Sequence, residues 1–505
     1  MVLGTASSVG KSVLVTALCR IFRQDGVRVA PFKAQNMSNN ADVTPDGLEI
    51  GRAQSEQAAA AGLAPSVLMN PVLLKPQGDR TSQVVLEGRP AGVIGSREFV
   101  ERKRDLWPAV ERALDRLRAQ YELVVAEGAG AAVEPNLRAG DIVNLRVARH
   151  AGAVVLLAGD IDRGGVFAHL LGTLALLTAE ERALVRGFLI NRFRGDPSLL
   201  APAIAELEAR TGVPVLGVIP WLDDLRIAQE DAVALERAGE GPGERGAARD
   251  PARAVEVNIA VLRLARIANF DDFDPFIDEP GVRLRYVSRV EDLGTPSLVI
   301  LPGTKATIAD LEALRRAGLA AAVVALHRGG TPVLGICGGF QMLGERLLDP
   351  DGVEAPPGTA VPGLGLLPIT TTFAAEKATR RAHGRVQAAC GPWEQAAGCA
   401  VDGYEIHMGH SEGTGGAVVA PLLELDGRPD GAVTADGRAA GTYLHGLFHN
   451  DALRGALLAA LGRRGAGGRP FDREREFDRL AQHVRSHVDL ERVRALLWPS
   501  GHAAR

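Results

Sequence analysis

The chain has 505 residues, which is too long for one hydrophobic core, so two or three domains are expected. Hydrophobic residues make up 46% and charged residues 23%, and a formal net charge of −4 gives no general attraction to nucleic acid or anionic membranes. The four cysteines lack CxxC spacing, no apolar run has transmembrane length, and nothing resembles a signal peptide. These features predict a cytoplasmic protein with free thiols and no nucleic-acid or membrane partner, and they are compatible with a homo-oligomer.

The first element is a glycine-rich loop at residues 4–12, which reads Gly-Thr-Ala-Ser-Ser-Val-Gly-Lys-Ser. Its two glycines are one residue further apart than in the common phosphate-binding motif. Such a loop turns backbone N–H groups onto phosphate, while its lysine contacts the terminal phosphates and its hydroxyl ligates Mg²⁺. We therefore predict that ATP is bound by Thr5, Gly10, Lys11 and Ser12, with Ser12 also holding Mg²⁺. The alternative is a chance Gly-Lys-Ser at the start of a helix.

Apolar residues at helical spacing predict a helix over 12–23 directly after this loop. Only Met1–Leu3 precede the loop, where a complete buried strand normally stands. We therefore expect that the true start lies upstream of Met1.

Short apolar runs separated by helical stretches follow, and they indicate a parallel sheet covered on both faces. The predicted strands are 27–32, 123–126, 153–158, 187–190 and 215–219. Glu127 follows one of them and is predicted to hold Mg²⁺, unless it only caps the strand. Asn191 follows another and is predicted to contact the adenine of ATP, unless it is an ordinary turn residue.

Gly, Pro and charged residues without apolar periodicity fill 237–254, which is the composition of a linker. Strand-like runs then resume at 257–262, 297–301 and 332–336. We predict an α/β chain of two parallel-sheet domains, 1–236 and 255–460, with a C-terminal helical tail at 461–505.

The second predicted domain carries a cysteine on a tight glycine turn. Residues 335–341 read Gly-Ile-Cys-Gly-Gly-Phe-Gln directly after a predicted strand. A strand-turn-helix of this kind lifts a thiol out of the sheet, and the helix N-terminus favours the thiolate. We predict that Cys337 is a nucleophile and His445 its general base. A buried, inert cysteine is the alternative.

Both halves resemble known families. The extended phosphate loop resembles the dethiobiotin synthetase-like branch of P-loop enzymes, and the cysteine half resembles class I glutamine amidotransferases. The second resemblance implies a glutamyl thioester on Cys337, an oxyanion hole formed by the N–H groups of Gly303 and Gly338, and contact between Gln341 and glutamine.

One position departs from the class I pattern. Ordinary members carry Glu two residues after the histidine, whereas this chain has Leu447. Either Glu405 substitutes as the third member or the site works as a Cys-His dyad. His407 is a structural residue in this interpretation, and His410 and His449 are surface or packing residues.

The two halves together are similar to the glutamine-hydrolysing corrinoid amidotransferases over nearly the whole chain. Residues 31–40, Pro-Phe-Lys-Ala-Gln-Asn-Met-Ser-Asn-Asn, resemble the cobyric acid synthase branch, as do 69–76, 160–165, 191–196, 302–305 and 404–409. The resemblance implies ATP- and glutamine-dependent amidation of the b, d, e and g carboxylates of adenosylcobyrinic acid a,c-diamide. We place contacts to this corrinoid polycarboxylate at Lys33, Gln35, Asn36 and Lys75, unless Lys75, which precedes Pro76, only ends a strand.

Three other interpretations stay open at this point. One is another P-loop amidoligase with a glutaminase half, such as a cobyrinic acid a,c-diamide synthase. Another is a nucleotide switch of the partitioning type, although those usually carry an additional lysine early in the loop. The third is a Cys-His hydrolase that uses ATP only for regulation.

Overall fold

A computed structural model describes residues 1–78, 80–95, 99–223, 225–227, 244–246, 255–277, 279–464 and 472–499. It confirms the α/β class, with one mainly parallel sheet at the centre of each half of the chain. Among the described helices, none is long and apolar enough to cross a lipid bilayer.

The N-terminal half is built around a parallel sheet. Its strands, in spatial order, are Val2–Gly4, Val155–Asp160, Val185–Phe193 and Val215–Pro220. A parallel pair, Val29–Phe32 with Leu123–Ala126, lies alongside and is joined to this sheet by a bridge between Val2 and Glu127. Because parallel strands end at the same edge, the glycine-rich loop and the polar residues that follow the other strands meet there.

Helices cover this sheet. They are Lys11–Gln24, Arg52–Ala60, Phe99–Gln120, Leu145–Ala151, Val166–Leu176, Ala179–Leu184 and Ala201–Thr211. The first helix begins one residue earlier than predicted because Gly10, with φ 95°, caps its N-terminus. Its periodic apolar residues, including Leu14, Leu18 and Ile21, are buried against the sheet.

The sequence analysis assigns no strand between 33 and 122, yet a small mixed sheet forms there. Its strands are Gln35–Met37, Val72–Pro76, Thr81–Leu86 and Arg89–Gly95, with an antiparallel pair, Ala41–Val43 and Glu49–Gly51, close by. Their aliphatic runs are at most three residues long, as in residues 72–74 and 84–86, which is shorter than the runs that mark a buried strand. They pack against Tyr404 and Ile406 of the second half of the chain.

The central sheet of the C-terminal half is parallel except at its edges. Its strands, in spatial order, are Glu244–Gly246, Val282–Val287, Val257–Leu262, Leu298–Leu301, Val333–Ile336, Ala439–Thr442 and Ala432–Val433. The strand that leads to Cys337, Val333–Ile336, is interior. Residues 244–246 form an antiparallel edge strand inside the segment predicted as a linker, and the rest of 237–254 lies outside the described residues.

A second sheet packs on this half. It is formed by Thr359–Pro362, Arg346–Asp349, Ile369–Val386, Ala400–Gly413 and Leu444–His445, with Leu423–Leu425 and Arg428–Asp430 at one side. The helices of this half are Thr307–Arg316, Leu319–Arg328, Gly338–Leu343 and Asp451–Ala460.

Short 3-10 turns lie in both halves of the chain, at Val67–Met69, Arg138–Gly140, Pro197–Leu200, Phe270–Phe276, Val290–Asp292, Gly391–Ala396, Thr414–Gly416 and Leu447–His449.

The C-terminal tail returns to the N-terminal half. Its helices, Arg473–Arg485 and Leu490–Leu497, contribute Phe477 and Val493 to the core that surrounds the first helix. Buried Arg20 on the first helix pairs with Glu474 and Asp478 of the tail at 2.7 Å each. The tail is therefore part of the N-terminal core.

We predict that Phe477→Ala lowers the free energy of unfolding by about 3–5 kcal/mol, because the ring is fully buried and its removal leaves a cavity. Urea denaturation followed by tryptophan fluorescence measures this. Glu491→Ala, at a site whose side chain is 88% exposed, is the control and changes stability by less than about 0.5 kcal/mol. Equal stability of both variants and the parent would contradict the packing of the tail.

Candidate active sites

The glycine-rich loop has the geometry of a phosphate cradle. Ser8 and Gly10 both have left-handed φ, 57° and 95°, which curls the backbone around the loop centre. The side chain of Lys11 extends across this centre, and its Nζ donates to the carbonyl oxygens of Ala6 at 3.0 Å and Gly130 at 2.8 Å. The hydroxyl of Thr5 is buried there without a hydrogen-bond partner. These groups suit a phosphate chain, whose oxygens can accept from both the lysine and the hydroxyl.

Glu127 lies at the centre of this site, 1% exposed. Its Oε1 accepts from the hydroxyl of Ser12 at 2.8 Å and from Nζ of Lys33 at 2.9 Å, and its Oε2 accepts from Gln57 at 2.6 Å. Burial raises the pKa of Glu127, but the charge of Lys33 and these hydrogen bonds outweigh it, so the net pKa is lowered. The carboxylate is therefore ionised at neutral pH. A hydroxyl and a carboxylate side by side suit Mg²⁺, which binds a few protein oxygens together with phosphate and water.

Asn191 lies beside the loop, but it is turned toward the backbone. Its Nδ2 donates to the carbonyl oxygen of Val9 at 2.9 Å, and a side chain at Gly10 would collide with it. Asn191 therefore braces the loop, and a contact with adenine stays a prediction.

A cavity of about 1320 Å³ opens from the loop. Lys33, Gln35, Asn36 and Glu127 line it. The side-chain carbonyl oxygens of Gln35 and Asn36 are buried without partners, so they are available to a ligand. The volume is sufficient for a nucleotide and part of a second, larger substrate.

Cys337 stands on a strained turn between its strand and the helix Gly338–Leu343. Its φ is 51° and its ψ −111°, an uncommon conformation for a residue with a side chain. The turn is so tight that a side chain at Gly339 would collide with the carbonyl oxygen of Leu301. The thiol is thereby presented at the N-terminus of a helix, as the sequence predicts.

His445 interacts with the Cys337 thiol and is itself oriented by a carboxylate. Its Nδ1 lies 2.7 Å from Oδ2 of Asp272, and Oδ1 of Asp272 accepts from the N–H of Gly446 at 2.8 Å. Burial opposes the imidazolium, but Asp272 and the thiol outweigh it and raise the pKa of His445 to about 10. The site is therefore a Cys-His-Asp triad, with each member buried.

The sequence analysis missed Asp272 and considered Glu405 instead. Glu405 lies elsewhere: it pairs with Arg380 and lies 3.7 Å from Nε2 of His407. The signal for Asp272 was the acidic stretch that follows the strand Val257–Leu262, because that strand ends at the same edge of the sheet as the strand before Cys337.

The predicted oxyanion glycines both border the triad. A side chain at Gly303 would lie 2.9 Å from Cε1 of His445, and Gly338 is the first residue of the helix, where an N–H has no partner within the helix. Gln341 lines a small pocket beside Cys337 and His445, and it donates to the carbonyl oxygen of Met408 at 3.1 Å. Lys75, predicted to bind the corrinoid, also lies here and not in the large cavity.

The loop that carries Asp272 is held by the N-terminal half of the chain. The Oδ1 of Asn269 accepts from the N–H of Ala41 at 2.9 Å, and Oδ1 of Asn40 accepts from the N–H of Asn269 at 2.7 Å. Arg52 forms an ion pair with Asp271 at 3.0 Å. The third triad member is thus positioned across the interface between the two halves.

We predict that Asp272→Asn slows alkylation of Cys337 by iodoacetamide at pH 7 roughly tenfold or more. Without the carboxylate the pKa of His445 falls, the imidazolium is lost near neutral pH, and the thiolate loses its counter-ion. The rate is measured by mass spectrometry of the Cys337 peptide. Glu405→Gln is the control and alkylates at the rate of the parent, whereas equal slowing in both variants would contradict the assignment of the triad.

Comparisons with known proteins assign a family to each half of the chain. Residues 1–234 match the family model of the CobQ/CobB/MinD/ParA nucleotide binding domain, and residues 258–453 match that of the CobB/CobQ-like glutamine amidotransferase domain. The cobyric acid synthase of Roseiflexus castenholzii is 54% identical over 503 residues, with 98% of both chains covered. That of Pelotomaculum thermopropionicum is 52% identical over 519 residues, covering 99% of this chain and 97% of the relative. The chain therefore belongs to the cobyric acid synthase family of glutamine-dependent amidating ligases.

Proposed function

We propose that the N-terminal half activates a carboxylate of a corrinoid with ATP, and that the C-terminal half supplies the ammonia that replaces its oxygen. The observation that carries this proposal is the presence of a phosphate cradle and a Cys-His-Asp triad in one chain with a shared interface. The substrate is adenosylcobyrinic acid a,c-diamide, and its b, d, e and g carboxylates are amidated to give adenosylcobyric acid in the cytoplasm.

The activation step makes a leaving group. A carboxylate oxygen of the corrinoid attacks the γ-phosphorus of ATP, the bond to the β-phosphate oxygen breaks, and ADP leaves from an acyl phosphate. Lys11 offsets the negative charge on the transferred group. Ser12 and Glu127 would hold Mg²⁺, which supplies further positive charge at the phosphates when it is bound. Ammonia then attacks the acyl carbon and phosphate leaves.

The ammonia comes from glutamine. The Cys337 thiolate attacks the carboxamide carbon, the N–H groups of Gly303 and Gly338 stabilise the oxyanion, and His445 transfers its proton to the departing ammonia. A water molecule, deprotonated by His445, then hydrolyses the thioester to glutamate. Asp272 keeps His445 in the tautomer and orientation that both transfers need.

The corrinoid enters the large cavity. Gln35 and Asn36 supply the hydrogen-bonding oxygens described above, and they suit the amide groups that the substrate already carries. Lys33 is paired with Glu127, so we propose that it acts at the activated carboxylate next to the phosphates.

We predict that Cys337→Ala abolishes corrinoid amidation with glutamine and retains it with ammonium chloride, because the variant lacks only the source of ammonia. Lys11→Met loses amidation with both nitrogen donors. The assay is mass spectrometry of the corrinoid, which falls by about one mass unit with each carboxylate converted to an amide. An ammonia-fed Cys337→Ala enzyme that makes no product would contradict the proposed division between the two halves.

Glu127→Gln tests the metal site. We predict that the Mg²⁺ concentration needed for half-maximal amidation rises roughly tenfold or more, because one charged oxygen ligand is replaced by a neutral amide. Glu122→Gln, at a partly exposed carboxylate near the same strand, is the control and keeps the Mg²⁺ dependence of the parent. Hydrolysis of glutamine by Glu127→Gln shows that the variant is folded, and an unchanged Mg²⁺ dependence would contradict the assignment.

A further inference from the structure

The small pocket beside the triad contains an unusual set of charged side chains. It has a volume of about 40 Å³ and is bordered by Cys337 and His445. Its described lining includes three lysines, Lys75, Lys305 and Lys377, which we call the lysine cluster, and one acidic residue, Glu354. Lys75 comes from the N-terminal half of the chain, and the other two lysines come from the C-terminal half.

Two of these lysines share one carboxylate. Glu49, 1% exposed, accepts from Nζ of Lys75 at 2.7 Å and pairs with Lys377 as well. Burial raises the pKa of Glu49, but the two ammonium groups outweigh it and hold the pKa at about 2. Burial lowers the pKa of Lys377 to about 8, so at neutral pH it is still mainly protonated and one carboxylate faces two ammonium groups.

Lys305 adds to this excess. It follows Gly303 and Thr304 in the chain, and among the described residues its ammonium has no hydrogen-bond or ion-pair partner. Burial and the nearby Lys75 lower its pKa, although the charges of Glu354, Glu49 and Cys337 oppose this.

The charge of Glu354 offsets the positive charge of the lysine cluster only in part. Its oxygens accept from the hydroxyl of Thr307 at 3.1 Å and from the N–H of Ile308 at 3.2 Å. Burial raises the pKa of Glu354 to about 7, so at neutral pH it is often protonated. The pocket therefore has a surplus of positive charge, and a cation left near an apolar core without a counter-ion is costly. Such an arrangement suits a pocket whose ligand brings the missing anion.

Free glutamine carries such an anion, its α-carboxylate. Its carboxamide must reach Cys337, and a short methylene chain separates this carboxamide from the α-carboxylate. Cys337 and all three lysines border this one pocket, so an α-carboxylate joined to a carboxamide at Cys337 would lie near cationic side chains.

We propose that the lysine cluster binds the α-carboxylate of glutamine, with Lys305 as its direct partner, and that the N-terminal half completes this subsite through Lys75 and Glu49. The proposal rests on the glutaminase role of Cys337. Glutamine binding then requires a group from the half of the chain that consumes the ammonia. The subsite also excludes carboxamides that lack an α-carboxylate.

The test compares L-glutamine with its α-amide, in which a neutral carboxamide replaces the α-carboxylate. We measure kcat/KM for loss of the side-chain amide from each compound, using the full-length chain. We expect the parent to prefer L-glutamine by roughly tenfold to a hundredfold in kcat/KM. This ratio corresponds to the free energy of one charge-assisted hydrogen bond. Lys305→Met loses most of this preference through a higher KM for L-glutamine, and Lys305→Arg restores part of it. Lys75→Met reduces the preference as well.

Arg385→Met is the control, because it removes an exposed charge on the strand Ile369–Val386. It keeps the preference of the parent. Amidation fed by ammonia shows that each lysine variant is folded. An undiminished preference in Lys305→Met, or an equal loss of activity toward both compounds, would overturn the subsite. An undiminished preference in Lys75→Met would overturn the contribution of the N-terminal half.

These outcomes are distinct from a failure of the proposed function. If the parent does not hydrolyse L-glutamine, or if Cys337→Ala hydrolyses it equally well, the glutaminase role itself is wrong. If Cys337→Ala is inactive while Lys305→Met keeps the full preference for L-glutamine, only the subsite is wrong.

Discussion

The contact between Asp272 and His445 depends on a short loop that neither half of the chain positions alone. Asn269, at the start of this loop, has a left-handed φ of 51° and exchanges hydrogen bonds with Asn40 and Ala41 of the other half. Asp271, two residues after Asn269, forms an ion pair with Arg52 of the N-terminal half. The loop that orients the imidazole of His445 therefore has contacts to both halves of the chain. Arg52 is shared by Asp271, Asp42 and Glu56, so removing it would leave three buried carboxylates without their common cation.

The helix Arg52–Ala60 connects this interface with the nucleotide site. Arg52 at its N-terminus pairs with Asp271, while Gln57, little more than one turn further along, donates to Glu127. One short helix therefore contacts both the carboxylate of the nucleotide site and the loop that carries Asp272.

Much of the fold followed from local patterns. The apolar runs at 123–126 and 257–262 match the strands Leu123–Ala126 and Val257–Leu262, because buried parallel strands are apolar throughout. The motifs also singled out Lys11, Ser12 and Cys337, which the structure places at the start of helices, as a loop before a helix implies. Asp272 and Lys75 could not be assigned in this way. Their roles depend on contacts between segments that are far apart in the chain, and no spacing rule encodes which loops meet across an interface.

The most direct test of this account is the rate of glutamine hydrolysis by Arg52→Met, compared with its ammonia-fed amidation. If the interface orients the triad, glutamine hydrolysis falls roughly tenfold or more while ammonia-fed amidation is largely kept. Addition of Asp271→Asn, which removes one of the three carboxylates that share Arg52, then restores part of the lost hydrolysis. Glutamine hydrolysis at the rate of the parent in Arg52→Met would contradict the claim that the triad is held from the opposite half of the chain.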